Sequence, residues 1–336
     1  MGVILSKNEL ISVLVPVYNV ERFIGKCAES LFSQTYRNLQ FIFVNDASTD
    51  QSLQVLRSRI DKYPDRSESV MVITNECNRG LSEARNIALS HALGEYIIHV
   101  DGDDFLEPYA IQKLYELALN TNADVVIGDF VFDFKTYSKP YIHTNYSNKR
   151  DYLLGLIRRK VPCCIWGKLI RKSLIVENNI TSIKGVSFGE DFVVIVRLID
   201  QARKISFLNE VIYHYVKTNQ NSITATIDET SIRDLLVVNK VLCSYFGKNQ
   251  FINNQIKLYT KLLLFKQVSS KKLLKTTAKL YPEIKDSSLI PIRDKIIMKL
   301  AETSSFSLII LLNSTYKILA KILWRLDFRN LLEKER

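Results

Sequence analysis

The stretch Glu95–Leu106, EYIIHVDGDDFL, decides how the rest of the chain is read. Tyr96–Val100 has the length and composition of a short buried strand. It runs into Asp101, Asp103 and Asp104, with Gly102 among them. Like charges this close raise one another's proton affinity unless something positive sits between them. Open α/β sheets gather ligands beyond the carboxyl ends of their strands. A divalent cation, Mg²⁺ or Mn²⁺, shared with a phosphorylated substrate is therefore the expected partner. The plainer alternative is a polar turn built from Asp and Gly.

Working outward, apolar runs at Leu10–Val17, Leu39–Val44, Val70–Thr74 and Asp124–Ile127 read as strands. Helical spacing fills residues 21–35, a segment from about Asp50, Leu81–Ala92 and Tyr109–Leu119. Pro108 stands where a helix can start. Such alternation of continuous apolar strands with helices predicts an α/β fold, with a mostly parallel central sheet covered on both faces. Past Phe130 the regularity weakens. A basic amphipathic helix is expected at 150–160, and Val161–Ile175 is mixed. Phe192–Ala202 reads as helix, and Ile205–Val216 as one strand or a pair turning near Asn209. Residues 231–247 and 253–280 read as helices, giving a division into 1–230 and a basic helical region 231–336.

The 336 residues carry a net charge of +11, unevenly placed. Residues 1–243 balance 28 Lys+Arg against 28 Asp+Glu; residues 244–336 hold the remaining 18 against 7. Phe306–Trp324, FSLIILLNSTYKILAKILW, is broken by Asn313, Lys317 and Lys321 and falls short of a spanning helix. Its pattern suits either a helix lying on an anionic membrane surface or one packed on the domain or a partner. The tail has no dense aromatic-basic pattern, so nucleic acid is not expected as a partner. Five cysteines form no CxxC pair, which suggests a reducing compartment. The N-terminus reads as a lead into the first strand and not as a signal peptide. No Gly-x-Gly-x-x-Gly follows the first strand and no GxxxxGK[ST] occurs, which removes the main support for dinucleotide and P-loop readings.

The candidate site residues follow strand ends and loops. Asp46, in FVNDASTD, either accepts hydrogen bonds from a nucleobase or ribose or caps the following helix; Asp50 is the better cap. In NRGLSEARN, Gly80 permits close backbone approach, Arg79 and Arg85 either contact phosphate or hold acidic loop residues in place, and Arg85 reads best as a brace that shapes the phosphate region. Glu190 and Asp191 are either a base with its orienting neighbour or an acidic helix start. His214 is either a metal or phosphate contact or an ordinary strand residue. Lys217 and Ser222 are phosphate contacts on a mobile loop. Trp166 either stacks on a sugar acceptor or belongs to the core.

Taken together, VPVYN at 15–19, VNDASTD at 44–50, NRGLSEARN at 78–86, DGDD at 101–104 and GED at 189–191 resemble the family-2 nucleotide-sugar glycosyltransferases of GT-A fold. The resemblance covers roughly residues 10–225. It implies that Pro16, Tyr18 and Asn19 line a nucleotide pocket and that Asp46 recognises a uracil-type base. It also implies that Asp101, beside Gly102, contacts ribose or sugar-phosphate, that Asp103 binds the cation, and that Asp191 is the base of an inverting reaction. Relatives more often carry arginine at the Lys217 position. The implied partners are a UDP-sugar donor and a saccharide or lipid-linked saccharide acceptor, in the cytoplasm or at the inner face of the cell membrane. A non-catalytic nucleotide-sugar-binding regulatory or scaffolding module is the alternative.

Overall fold

The computed structural model describes residues 8–143, 146, 148–219, 227–284 and 290–316. Two compact units emerge: residues 1–156 with 160–222, and residues 157–159 with 223–336.

The first unit runs β1 (Ile11–Val17), α1 (Ile24–Phe32), β2 (Leu39–Asn45), α2 (Ser52–Ile60), α3 (Pro64–Ser67), β3 (Val70–Thr74), α4 (Leu81–Ser90) and β4 (Tyr96–His99). It continues with β5 (Phe105–Leu106), α5 (Ala110–Thr121), β6 (Val125–Asp133), β7 (Ser138–Tyr141), α6 (Lys149–Ile157), β8 (Lys168–Arg171), α7 (Lys172–Glu177), α8 (Glu190–Gln201) and β9 (Ile205–Val216). The sheet order is β3-β2-β1-β4-β8-β6-β9-β5, with β7 beside β6. From β3 to β4 every pairing is parallel, as is β6 with β9; β8 enters antiparallel between β4 and β6. The fold is thus the expected α/β type, with its parallel half carried by the N-terminal strands.

Side-chain alternation along a strand places successive residues on opposite faces. Val13, Val15, Phe41, Phe43 and Ile98 share one apolar cluster with Ile24, Cys27 and Leu31 of α1 and Ile111 and Leu114 of α5. The intervening Leu14, Ile42 and Ile97 are also buried, and α4 packs on β1 and β2 with Ala84 and Ala88 buried. Helices therefore cover both faces, which is why these strands lack polar alternation. Ile205–Val216 is one strand, with register shifts against β6 near Gly128–Phe130 in place of a turn at Asn209.

The second unit contains α9 (Glu229–Phe246), α10 (Gln250–Gln267), α11 (Lys271–Lys279) and α12 (Ile292–Glu302), with residues 306–316 also helical. The single helix expected over 253–280 is broken because Val268 and Ser270 adopt extended backbone. Asn313, read as an interruption of an apolar run, is an anchor: its Nδ2 donates to the Phe265 carbonyl at 2.6 Å and its Oδ1 accepts from Arg293 at 3.0 Å. Lys317, Lys321 and the rest of the expected interface helix lie outside the described residues. Among the described residues no helix is long and apolar enough to cross a membrane.

Gly94 admits β4 into the sheet. A Cβ there would stand 2.6 Å from Ser12 N and 2.7 Å from the Leu10 carbonyl, both backbone. Gly94→Ala must shift strand backbone and is expected to cost about 1–3 kcal/mol, measured as a lower urea midpoint at unchanged slope.

Candidate active site

The site is built where β1, β2 and β4 end. Two of these ends are zipped together. Asn19 takes a left-handed conformation (φ 52°), and its Oδ1 accepts from Thr49 N at 2.9 Å. Val20 N donates to Ser52 Oγ at 2.8 Å, while Glu21 N donates to Asp50 and Gln51 N to Glu21, each at 3.0 Å. Tyr18 is left exposed beside this junction. Asp50 accepts from Ser52 N at 2.9 Å and so serves the start of α2. Asp46 does not cap that helix. Its Oδ1 accepts from Asn75 Nδ2 at 2.7 Å and Arg79 N at 2.9 Å, and its Oδ2 from Gly80 N at 2.8 Å. It therefore ties the loop before α4 to the end of β2. The Arg79 side chain is exposed.

The turn after β4 is closed by Asp104 N donating to the Asp101 carbonyl at 3.0 Å. A Cβ on Gly102 would meet the Pro16 carbonyl at 2.9 Å, so only glycine lets this turn lie against the end of β1. Asp104 is buried. Its Oδ2 accepts from the Tyr213 hydroxyl at 2.7 Å and its Oδ1 from Val216 N at 2.8 Å. Asp103 is half-buried and accepts from Asn219 Nδ2 at 2.8 Å.

Arg85, from α4, is the centre of the site, its side chain 3% exposed. Nη2 donates to Asp101 Oδ1 at 2.7 Å; Nη1 donates to Glu190 Oε1 at 2.6 Å and to Asp191 Oδ1. Gly189 precedes α8 and puts both acidic residues in its first turn, where the helix dipole favours negative charge. Burial works against the Arg85 charge, but Asp191, Glu190 and Asp101 outweigh it and hold the guanidinium protonated. Three carboxylates exceed what one guanidinium can balance. Burial pushes the Glu190 carboxyl well above its ordinary range against the pull of Arg85. Burial likewise pushes Asp101 up to about 6, with Arg85 opposing and Asp191 and Asp103 adding to the rise.

His214 is not placed as a metal ligand. Its Nδ1 meets Asp133 and its Nε2 meets Glu107, both at 2.8 Å, and its ring stacks on Phe105. Both ring nitrogens are thus committed to carboxylates. Trp166 is buried, stacked on Tyr213 at 4.4 Å and edge-on to Phe130 at 4.8 Å, so it is a core residue and not an exposed sugar platform. The Lys217 amine lies 4.0 Å from the Tyr215 ring centroid; burial lowers its proton affinity, with Asp104 and Asp103 opposing. Ser222 lies outside the described residues.

Among the described residues no group of three or more His, Cys, Asp or Glu is arranged to hold a metal. The fit is to a divalent ion of the kind held by one or two carboxylates and completed by substrate phosphates: Asp101 is taken by Arg85 and Asp104 by Tyr213 and Val216, leaving the half-buried Asp103, which Asn219 holds at one oxygen. Sequence reasoning missed Asn75, Tyr213 and Asn219. For Tyr213 the available signal was strand alternation, which puts it on the face opposite His214.

Residues 12–177 match the family model described as Glycosyl transferase family 2. It is 32% identical over 222 residues to the uncharacterized glycosyltransferase EpsJ of Bacillus subtilis, a match covering 64% of this chain and 63% of EpsJ. The match thus spans less than two thirds of that relative's length. Among solved structures, S. aureus TarS in complex with UDP-GlcNAc superposes with a TM-score of 0.70 at 19% identity, covering 91% of each chain. The mannosyltransferase PcManGT of Pyrobaculum calidifontis, in complex with GDP-Man and Mn²⁺, superposes at 0.50 with 16% identity over 93% of this chain and 88% of its own. Both likenesses bear out the GT-A fold.

His99 is buried, and among the described residues its Nδ1 has no hydrogen-bond partner. Burial, with Arg85 adding, pushes its ring down to about 3. The unfolded chain takes up this proton near 6.5, so stability is lost as pH falls from about 6.5 toward 3. His99→Gln removes that loss. Relative to the parent it should gain about 1.4 kcal/mol per pH unit between pH 6 and 4, read from urea midpoints of both proteins across that range.

Proposed function

We propose that this chain is an inverting, metal-dependent glycosyltransferase. It moves a hexose-type sugar from a UDP-sugar to a hydroxyl of a saccharide or lipid-linked saccharide, in polysaccharide biosynthesis. The observation that carries this reading is the sharing of Arg85 by Asp101, at the end of a parallel strand, and Asp191, from a motif far away in sequence. One side of the site thereby offers carboxylate and backbone at a strand end, and the other offers an oriented base.

Asp103 would hold the cation, which supplies charge neutralisation for the departing diphosphate. Tyr18 and Asn19 would line the nucleotide pocket. Asp46 would act on a uracil-type base mainly by fixing the Asn75–Gly80 loop, and Arg79 would reach toward phosphate. Asp191 would take the proton of the acceptor hydroxyl as its oxygen bonds to the anomeric carbon. The bond from that carbon to the diphosphate oxygen breaks, and UDP leaves. Arg85 keeps Asp191 aimed throughout. The binding of UDP-GlcNAc by TarS and of Mn²⁺ with GDP-Man by PcManGT supports donor and cation classes.

A panel of UDP-sugars with Mn²⁺ and saccharide acceptors, followed by anomeric NMR of the product, tests the reaction. Inversion is expected; retention overturns the single displacement. Asp191→Asn should lower kcat about 10²- to 10⁴-fold while leaving donor affinity near the parent value. Equal losses in both would make Asp191 a substrate-holding residue.

The C-terminal unit supports a second element of the reading, peripheral attachment to an anionic membrane surface on the cytoplasmic side. Ile292 and Ile296 of α12 stand 77% and 46% exposed beside Lys295 and Lys299, and Leu308 and Leu311 are exposed on the next helical run. Exposed aliphatic residues flanked by lysine suit a bilayer interface. The full chain should co-sediment with phosphatidylglycerol vesicles and not with phosphatidylcholine vesicles. Ile292→Glu with Ile296→Glu should reduce this at least tenfold; unchanged binding removes α12 from the contact.

A further inference from the structure

The acidic turn is pinned from several sides, and its half-buried Asp103 takes a hydrogen bond from Asn219 Nδ2 at 2.8 Å. Gly102 abuts the Pro16 carbonyl, and Arg85 holds the Asp101 side chain. Two further fixings converge on one phenol. The Tyr213 hydroxyl donates to Asp104 Oδ2 at 2.7 Å and accepts from Asp101 N at 3.2 Å, so it spans both ends of the turn. Tyr213 itself is fully buried, with its ring parallel to the Trp166 indole. That indole is set in turn by Lys168, also buried, whose amine donates to the carbonyls of Cys164 at 2.8 Å and Trp166 at 3.2 Å. A lysine so buried needs these acceptors, so the Cys164–Trp166 segment is held closely.

We propose that Tyr213, seated by Trp166 and Lys168, is a positioning residue that fixes the acidic turn so that Asp103 alone presents its carboxylate to a cation-bound diphosphate. The proposal rests on the reading that Asp103 holds the cation. It gives Trp166 a part in the site without contact to sugar: its ring sets the angle of the phenol that spans the turn. It also explains why a run with three aspartates offers one ligand. Two of them are spent on holding the third in place.

Tyr213→Phe removes the hydroxyl and keeps the stacked ring. Mn²⁺ is titrated into the full chain with UDP present, free ion is followed by electron paramagnetic resonance, and thermal unfolding is recorded in parallel. The expected result is Mn²⁺ affinity weakened about 10- to 100-fold, with donor KM raised and kcat largely restored at saturating Mn²⁺. Wild-type Mn²⁺ affinity in a folded Tyr213→Phe protein overturns the proposal, whatever its melting temperature. Asp103→Asn separates this from the underlying reading. Unchanged Mn²⁺ affinity in Asp103→Asn removes the cation role itself, whereas its loss there with none in Tyr213→Phe removes only the positioning role. If Tyr213→Phe does not fold, Asp104→Asn, which keeps an oxygen for the hydroxyl, should bind Mn²⁺ more tightly than Asp104→Ala; equal affinities overturn the proposal.

Discussion

The guanidinium of Arg85 joins parts of the chain that have no local reason to meet. Asp101 lies 16 residues away, and Glu190 and Asp191 lie 105 and 106 away. Buried ion pairs of this kind contribute little net stability, because desolvation offsets the attraction, but leaving the carboxylates without their cation would be costly. The arrangement therefore acts less as a source of stability than as a constraint. α8 can start only where its acidic first turn meets α4, and the turn after β4 can lie only where Asp101 reaches the same group.

Burial divides the roles among these carboxylates. One positive charge cannot neutralise three acids in a place of low polarity, and burial pushes the Glu190 carboxyl well above its ordinary range against the pull of Arg85. Glu190 and Asp191 share the same Arg85 nitrogen. Hydrogen bonding divides roles on the other side of the site. Asp46 and Asp104 spend their oxygens on backbone amides and side-chain donors. They act as fasteners for the loops after β2 and β4.

Much of the frame was legible in the residue pattern. The continuous apolar strands β1, β2 and β4 and the spacing of α1 and α4 follow from burial on both faces, which leaves a simple one-dimensional trace. Arg85 as a brace was also visible, from its charge type; Asp50 stands one residue before the N-cap Gln51, its carboxylate accepting from Ser52 N at the start of α2. His214, Trp166 and Asp46 were harder. Each is a polar or aromatic residue whose part depends on neighbours distant in sequence: Glu107 and Asp133 around His214, Tyr213 beneath Trp166, and Asn75 to Gly80 around Asp46. The break between α10 and α11 was missed because Val268 and Ser270 carry no strong helix-stopping signal of the Gly or Pro kind.

By itself the sequence determined the α/β class, the order of its motifs and the set of acidic residues from which a site could be made, because periodicity and turn chemistry are local properties. Which acid points outward and which is tied down was decided only in three dimensions. Identical carboxylates differ by the donors that surround them, and some of those donors arrive from more than a hundred residues away.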